Sequence, residues 1–258
     1  MRDERQPTTD PVAARLDGRA VLITGAGSGI GRSTAILAAG AGAVIAAIDI
    51  DPHGLDDTID AVRQAGGRIE GCAADVTDAT ALATAIGGLA ADAGSFHGVF
   101  ANAAILPPPV PAHELDRAAW DRVVDVNLTG AVFTLVNALG HVVDGASLLV
   151  SGSSMAIRPR EQRLAYVAAK AGLHAAARAL ALELAPRRIR VNVIAPGLTD
   201  TPMVRRIPNH VESGMSSVPL GELVPPHEVA ALAIHLLSDD ARHVTGAVFS
   251  VDGGRTAG

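Results

Sequence analysis

The sequence predicts a single α/β domain built on a doubly wound parallel sheet of about seven strands, with helices on both faces. Three observations support this fold class. Short apolar runs alternate with alanine-rich helical stretches along most of the 258 residues. A glycine-rich turn follows the first apolar run, and polar or special residues follow several of the others. Strands that alternate with helices form parallel sheets that helices cover on both sides.

The predicted elements follow one another in order along the chain. We expect a flexible tail over residues 1–14 and a single domain over residues 15–258. Residues 198–226 contain five prolines and show no clear period. Apolar runs predict strands at 19–24, 43–48, 68–73, 97–101, 147–150, 189–194 and 247–251. Helical patterns predict helices at about 32–41, 52–65, 79–93, 115–143, 164–185 and 227–237.

The composition narrows the class of protein. The net charge is −6 and the arginines are scattered, which argues against a nucleic-acid surface. No apolar stretch approaches the roughly 18 uncharged residues of a membrane span, and the polar N-terminus lacks a signal-peptide core. A lone Cys72 gives no disulfide framework, and nine histidines without ligand spacing predict no metal site. We therefore expect a cytoplasmic protein without a nucleic-acid or membrane partner.

A glycine-rich turn at residues 25–31 connects the first predicted strand to a helix, and Asp49 ends the second strand. Glycines allow the backbone to approach a pyrophosphate, and a helix N-terminus offers that group free N–H donors and partial positive charge. Ile30 stands where a strict Gly-x-Gly-x-x-Gly motif has its last glycine, so the spacing is Thr-Gly-x-x-x-Gly-x-Gly. Together these features predict a dinucleotide site in a Rossmann-type fold.

Polar or special residues fall where several predicted strands end. They are Asp49, Asp75, Asn102, Ser153 and the pair Pro196-Gly197. Ligands of open parallel sheets bind outside the carboxyl ends of the strands. The sequence therefore predicts a site at this edge of the sheet.

Tyr166 and Lys170 are the one tyrosine and the one lysine of the chain, and the other 20 of its 21 basic residues are arginine. Both fall in a predicted helix, where positions four apart share a face. An ammonium near a phenol favours the phenolate and lowers the phenol's pKa from about 10. The pair is therefore a candidate proton donor and acceptor. The alternative is a half-buried tyrosine beside a solvated lysine.

Four motifs occur together and in order in this chain. They are Thr24-Gly25-x-x-x-Gly29-x-Gly31, Asn102-Ala103-Ala104, a serine before Tyr166-x-x-x-Lys170, and Pro196-Gly197. With an ending of Val251-Asp-Gly-Gly254, the chain resembles the short-chain dehydrogenase/reductase family over about residues 17–254. It departs from the family pattern at Ala104, where glycine is usual, and at Glu222, where arginine is usual.

The resemblance implies a set of catalytic residues. Tyr166 would be the general acid/base, and Lys170 would lower its pKa and bind the nicotinamide ribose. Asn127 would hold a water of the proton relay, although it could instead mark a helix kink. The serine that binds the substrate oxygen would be Ser153, which lies 13 residues before the tyrosine. The local Ser-Ser-Met-Ala pattern offers Ser154 as the alternative.

The resemblance also implies a nicotinamide dinucleotide. Asp49 suits a free ribose 2′-hydroxyl and repels a 2′-phosphate, and Ser28 supplies no positive charge for that phosphate, so we predict NAD(H) rather than NADP(H). Asp75 and Val76 would flank the adenine. The predicted cofactor residues are Gly25, Ser28, Gly29, Ile30, Gly31, Asp49, Asp75, Val76, Asn102, Ala103, Tyr166, Lys170, Pro196, Gly197, Leu198 and Thr201, the last two holding the carboxamide.

The implied activity is the interconversion of a secondary alcohol and a ketone by hydride transfer, in a homotetramer or homodimer. One alternative is a non-catalytic NAD-binding regulator of the same fold, although such a module has no need of all four catalytic residues. A second alternative is an epimerase or dehydratase, whose members generally carry longer C-terminal substrate domains.

The substrate is expected to contact three loops, at residues 106–111, 155–163 and 198–221. Five arginines lie in these loops, namely Arg158, Arg160, Arg163, Arg205 and Arg206. They suggest a substrate that carries a carboxylate or another anion. The alternative is that they are solvated surface arginines.

Overall fold

The computed structural model describes residues 15–258, so the tail expected at 1–14 lies outside the described residues. The described residues form a single α/β domain with one seven-stranded parallel sheet, in the order β3-β2-β1-β4-β5-β6-β7, which confirms the predicted fold class. The strands are β1 (Ala20–Thr24), β2 (Val44–Asp49), β3 (Arg68–Ala73), β4 (Phe96–Ala101), β5 (Val142–Ser151), β6 (Arg190–Pro196) and β7 (Val248–Val251).

Helices connect the strands and cover both faces of the sheet. They are α1 (Gly29–Gly40), α2 (Pro52–Gln64), α3 (Ala79–Ala93), α4 (Arg117–Val124), α5 (Ala131–Ala138), α6 (Leu164–Leu184), α7 (Pro202–Arg205), α8 (His210–Met215) and α9 (Pro226–Leu237). Short 3₁₀ turns occupy Ala112–Glu114, Ser154–Ala156, Ala185–Arg187 and Asp239–Ala241. Among the described residues, no helix is both long enough and apolar enough to cross a membrane.

The order of the strands creates a crevice. The chain builds outward from β1 through β2 to β3, then returns to the other side of β1 and builds from β4 to β7. The connections that follow β1 and β4 therefore leave the sheet in opposite directions. A crevice opens between them at the carboxyl edge, which is where open α/β sheets bind ligands.

The core consists of two apolar layers that the sheet separates. Along β1, Val21 and Ile23 are buried in the layer under α1, α2 and α9, while Ala20 and Leu22 are buried in the layer under α3, α5 and α6. This alternation follows from the two-residue period of a strand. Aromatic residues make up only 2% of the chain, so aliphatic and alanine side chains fill both layers.

The predicted helix at 115–143 is wrong in two respects. It is interrupted by a turn of π-helix, Asp125–Gly130, between α4 and α5. Its last residues belong instead to β5, which begins at Val142 and pairs there with Phe96. An apolar run without a proline reads equally well as helix or buried strand, and pairing with β4 decides in favour of the strand.

Two other boundaries differ from the prediction. Helix α1 begins at Gly29, three residues earlier than expected, so part of the glycine-rich turn is its first turn. The segment at 198–226 contains the two short helices α7 and α8. Prolines interrupt that segment often enough to hide the helical period.

Candidate active site

A cavity of about 790 Å³ opens at the carboxyl edge of the sheet, over the ends of β1, β2, β4, β5 and β6. Of the residues predicted for the cofactor or for catalysis, Gly31 and Asn127 do not line it. The others, which do line it, are Gly25, Ser28, Gly29, Ile30, Asp49, Asp75, Val76, Asn102, Ala103, Ser153, Tyr166, Lys170, Pro196, Gly197, Leu198 and Thr201.

The glycine-rich turn is shaped by backbone geometry that side chains would disrupt. Gly25 has a φ of +68°, and a Cβ there would lie 2.8 Å from the Cα of Ala103. A Cβ on Gly31 would lie 2.0 Å from the carbonyl oxygen of Gly25. Gly31 therefore allows α1 to pack closely against the turn, which explains its absence from the cavity wall.

The N-terminus of α1 faces the cavity through Ser28, Gly29 and Ile30. The N-cap residue, Ser28, makes no side-chain capping hydrogen bond, and the first turn of the helix contains no acidic residue. The first N–H groups of the helix are therefore available to an anionic ligand, with the helix dipole in its favour. This arrangement suits the pyrophosphate of a dinucleotide.

The carboxylate of Asp49 is fixed by two main-chain donors. One oxygen accepts from the N–H of Gly27 at 2.7 Å, and the other accepts from the N–H of Asp51 at 2.9 Å. The next residue, Ile50, is an exposed apolar side chain on the cavity wall. Within residues 15–258, no basic side chain forms an ion pair with Asp49. The carboxylate thus presents uncompensated negative charge to the cavity.

Arg32 contacts this turn, but its guanidinium forms no ion pair with Asp49. It donates to the carbonyl oxygen of Gly27 at 2.6 Å and to that of Gly54 at 3.0 Å, and to the hydroxyl of Thr58 at 3.0 Å. Arg32 does not line the cavity. Its role in this structure is to tie the glycine-rich turn to α2.

Asn102 joins the ends of β1 and β4. Its side-chain amide donates to the carbonyl oxygens of Thr24 and Gly25, each at 3.2 Å, and its main-chain N–H donates to the hydroxyl of Thr24 at 3.1 Å. The crevice between the two strands is therefore closed at its base by one asparagine.

Asn127 lies in the π-helical turn and is completely buried. Its amide nitrogen donates to the carbonyl oxygens of Ile105 and Val123, at 3.0 and 3.1 Å, and its oxygen accepts from the N–H of Ile105 at 3.1 Å. Both amide hydrogens are thus used inside the protein. In this geometry the side chain holds the loop at Ile105, which itself lines the cavity.

Tyr166 and Lys170 lie on the buried face of α6 and reach the cavity. The ammonium of Lys170 lies 5.9 Å from the centroid of the Tyr166 ring and donates to the carbonyl oxygen of Ser151 at 2.6 Å. Lys170 is only 1% exposed. The alternative of a solvated lysine does not describe this structure.

The pKa of Tyr166 shifts upwards in this structure, opposite to the lowered pKa that the sequence led us to expect. Burial raises the pKa of Tyr166, while its hydrogen bond with Ser153 and the charge of Arg163 act in the opposite direction. Burial also lowers the pKa of Lys170 to about 7. The ammonium is therefore itself destabilised, and it does not offset the loss of water around the phenol.

The structure distinguishes the two candidate serines. The hydroxyl of Ser153 hydrogen-bonds Tyr166 and accepts from the N–H of Met155 at 3.1 Å. The hydroxyl of Ser154 accepts instead from the guanidinium of Arg255 at 3.3 Å. Ser153 is therefore the serine beside the phenol.

His174 lies further along α6 than Lys170 and contacts the main chain of Ser153. Its Nε2 atom accepts from the N–H of Ser153 at 3.4 Å. A Cβ on Gly152 would lie 2.2 Å from the same atom, so glycine is needed for this approach. Burial and the charges of Lys170 and Arg178 lower the pKa of His174 to about 4, which keeps the ring neutral and able to accept.

The arginines suspected of binding an anion occupy different environments. Arg205 forms an exposed ion pair with Asp200, and Arg206 is exposed away from the cavity wall. Arg163 is buried, and it donates to the carbonyl oxygen of Pro107 and to Nδ1 of His210. In this structure Arg205 and Arg206 match the alternative of solvated surface arginines, whereas Arg163 does not.

Two buried basic residues of the cavity wall, Arg255 and His210, were not singled out as site residues from the sequence. Arg255 follows the last strand, and His210 lies in the segment that showed no period. Both are buried, with 7% and 3% of their surfaces exposed. Only the packing of the C-terminal residues and α8 against the carboxyl edge brings them to the site.

The known proteins that this chain resembles are named as dehydrogenases and reductases. A family model described as enoyl-(acyl carrier protein) reductase matches residues 25–256. The chain is 41% identical to cis-4-hydroxycyclohexanecarboxylate dehydrogenase of Sinomonas cyclohexanicum, over 93% of this chain and 97% of the relative. It is 34% identical to cyclohexanol dehydrogenase of Acinetobacter sp. (strain SE19), over 94% and 97%. Among solved structures, 3-ketoacyl-(acyl-carrier-protein) reductase from Brucella melitensis complexed with NADH superposes with a TM-score of 0.87, 30% identity and coverage of 93% and 99%.

The buried lysine predicts a specific pH dependence of stability. The pKa of Lys170 is about 7 in the folded protein against 10.5 for a free side chain, so between these values the unfolded chain binds the extra proton. The free energy of unfolding should therefore rise with pH over this range, by up to about 1.4 kcal/mol per pH unit from this one group. Above pH 10 the raised pKa of Tyr166 has the opposite effect.

Urea denaturation between pH 7.5 and 9.5 tests this prediction. The wild-type free energy of unfolding should rise more steeply with pH than that of Lys170→Met, which lacks the titrating group. Equal slopes for the two proteins would contradict the assignment.

Proposed function

This chain belongs to the short-chain dehydrogenase/reductase family, and we propose that it is an NAD(H)-dependent dehydrogenase that interconverts a secondary alcohol and a ketone. The observation that carries the proposal is the arrangement in one cavity of Ser153, Tyr166 and Lys170 beside a glycine-rich turn. Named relatives are dehydrogenases of alcohols, which supports an oxidoreductase that acts on a secondary alcohol.

The residues present fit a nicotinamide dinucleotide. The turn from Gly25 to Gly31 and the free N–H groups of α1 would hold the pyrophosphate, and Asp49 would accept hydrogen bonds from the adenosine ribose. Asp75 and Val76 would flank the adenine. When bound, NAD⁺ supplies the acceptor for the hydride of the alcohol carbon.

We favour NAD(H) over NADP(H) on electrostatic grounds. A 2′-phosphate would lie against the uncompensated carboxylate of Asp49, beside the apolar Ile50. Two like charges placed side by side oppose binding of the phosphate. The relative from Brucella melitensis that binds NADH shares the fold and is consistent with this choice.

The protein's own residues would control the proton. In the oxidation direction, the phenolate oxygen of Tyr166 takes the proton of the alcohol, and the hydroxyl of Ser153 hydrogen-bonds the same substrate oxygen. Lys170, held by the carbonyl oxygen of Ser151, places a cation at the base of the site. Leu198 and Thr201 would contact the nicotinamide carboxamide. Asn127 would support the site by holding the main chain of Ile105.

The relatives suggest which alcohols to test first. Two of them are named for alcohols on a cyclohexane ring, and one of these rings also carries a carboxylate. We therefore propose a cyclic secondary alcohol as the substrate, with oxidation by NAD⁺ as the favoured direction.

Substitution of the proposed catalytic residues tests the activity. Tyr166→Phe removes the proton acceptor and should lower kcat for alcohol oxidation by about 10²- to 10⁴-fold. Ser153→Ala should lower it by about 10²- to 10³-fold, because it removes a donor to the substrate oxygen. Ser154→Ala is the matched control and should have a much smaller effect. Rates are followed by NADH absorbance over a panel of cyclic alcohols.

Fluorescence titration measures NADH binding by the same variants. All three variants should bind NADH, since none alters the glycine-rich turn. Undiminished turnover in Tyr166→Phe would overturn the proposed mechanism. NADH binding without turnover in the wild type would favour a non-catalytic regulator.

Substitution of Asp49 tests the choice of cofactor. Asp49→Ala removes the charge that opposes a 2′-phosphate and should lower the preference for NAD⁺ over NADP⁺ by about 10- to 100-fold in kcat/KM. Asp51→Asn is the control, because Asp51 caps α2 and does not line the cavity. An unchanged preference in Asp49→Ala would contradict this assignment.

We further propose a homotetramer or homodimer that forms through α5 and α6. These helices expose apolar side chains, Phe133 and Val136 on α5 and Leu164 and Leu182 on α6. Such a surface suits an interface between copies of the chain. Light scattering after size exclusion should give two or four times the 26.2 kDa chain mass, and Phe133→Asp should shift the protein towards the monomer. A monomeric wild type would exclude the proposal.

A further inference from the structure

The cavity wall contains a buried guanidinium that has one hydrogen bond. The side chain of Arg255 donates to the hydroxyl of Ser154 at 3.3 Å, and the described residues provide it no other acceptor. A guanidinium carries five N–H donors. Ser154 is adjacent to Ser153, the serine beside Tyr166. Arg255 therefore brings unused donors and a positive charge close to the proposed reaction centre.

Arg255 also lacks an ion-pair partner among residues 15–258. The carboxylate nearest in sequence, Asp252, acts on Arg255 through its charge but forms no ion pair with the guanidinium, and it accepts from the N–H groups of Gly254 and Thr256 and from the hydroxyl of Thr256. A buried arginine stays charged, because its pKa is too high for deprotonation. Burying a charge without a partner is unfavourable unless a ligand supplies one.

A second unused donor lies on the same wall. Arg163 approaches Nδ1 of His210 at 3.2 Å, and since a guanidinium can only donate, Nδ1 is the acceptor. The ring proton of neutral His210 must then be on Nε2. That atom is buried and has no hydrogen-bond partner within the described chain. Burial and the charges of Arg163 and Arg160 lower the pKa of His210 to about 4, so the ring is neutral near pH 7.

The surroundings of these two donors are positively charged. Arg158 donates to the carbonyl oxygen of Arg255 at 2.8 Å, and Arg160 donates to the carbonyl oxygen and hydroxyl of Ser213. Neither arginine forms an ion pair in the described part of the chain. The carboxylates that line the cavity lie on other elements, namely Asp49, Asp75, Asp121 and Asp125.

We propose that the substrate carries a carboxylate, which the guanidinium of Arg255 and the Nε2–H of His210 bind while its alcohol group lies at Tyr166. The planar fork of an arginine matches a carboxylate with two parallel hydrogen bonds. The inference rests on the proposed function for the alcohol end of the substrate. Substrate recognition would then come from Arg255 and His210, and Arg158 and Arg160 would strengthen it through their charge.

The first test compares an acid with its uncharged analogue. The substrates are cis-4-hydroxycyclohexanecarboxylate and the corresponding carboxamide, with NAD⁺ saturating. We expect the wild type to prefer the acid in kcat/KM, mainly through a lower KM. Arg255→Met should reduce this preference by about 10- to 100-fold, because the bound carboxylate loses its charged partner. Arg205→Met is the matched control, because Arg205 is exposed and paired with Asp200, and it should keep the wild-type preference.

A second measurement does not depend on turnover. Calorimetry with cyclohexanecarboxylate and cyclohexanecarboxamide, which lack the alcohol, reports binding to the protein in the presence of NADH. The acid should bind more tightly than the amide to the wild type and to Arg205→Met, and this difference should be lost in Arg255→Met. Arg255→Lys, which keeps the charge, should restore part of the difference, which separates recognition of the anion from a folding defect.

The outcomes separate this inference from the proposed function. Turnover of the alcohols with no preference for the acid, or with a preference that Arg255→Met leaves intact, would overturn the carboxylate site and leave the dehydrogenase standing. Binding of cyclohexanecarboxylate that depends on Arg255, without oxidation of any alcohol, would support the anion site and overturn the proposed function. If neither acid is bound or oxidised better than its amide, the anion site is excluded.

Discussion

The parallel pairing of β1 with β2 on one side and β4 on the other is the constraint on which the site depends. Because the chain reverses its winding direction between β3 and β4, the connections after β1 and β4 separate and leave a crevice. Asn102 closes the base of that crevice by donating to the carbonyl oxygens of Thr24 and Gly25. The glycine-rich turn, the acidic end of β2 and the serine after β5 then have to face the same space.

Buried positive charge in this crevice takes two chemically different forms. The pKa of Lys170 falls to about 7 on burial, so this residue can lose its proton near neutral pH. Arg255 cannot lose its charge in the same way, and its charge must be balanced by a neighbour or a ligand. An arginine at position 170 would therefore put a fixed charge under Tyr166. This difference gives a physical reason for a single lysine in a chain that otherwise uses arginine.

Sequence reasoning succeeded where the signal was local and failed where packing decided. The strand-turn-helix unit around Gly25 and the four-residue spacing of Tyr166 and Lys170 can be read from neighbouring residues. The start of β5 at Val142 could not, because its pairing with Phe96 determines it. The direction of the pKa shift of Tyr166 depends on burial, which the sequence does not contain. Arg255 and His210 reach the cavity only through the folded C-terminal half, so no local signal in the sequence pointed to them.

The distribution of charge along the cavity connects the proposed cofactor choice to the proposed substrate. At the end of β2, Asp49 presents a carboxylate without an ion-pair partner among residues 15–258, which opposes a ligand with an extra phosphate. Near Ser154, Arg255 presents a guanidinium that likewise has no ion-pair partner among residues 15–258. A substrate carboxylate bound without such a cation would raise the pKa of Tyr166 further and oppose the phenolate that oxidation requires. Arg255 would offset the charge of the substrate carboxylate, which would allow Tyr166, the proposed base, to act on an anionic alcohol although it is buried.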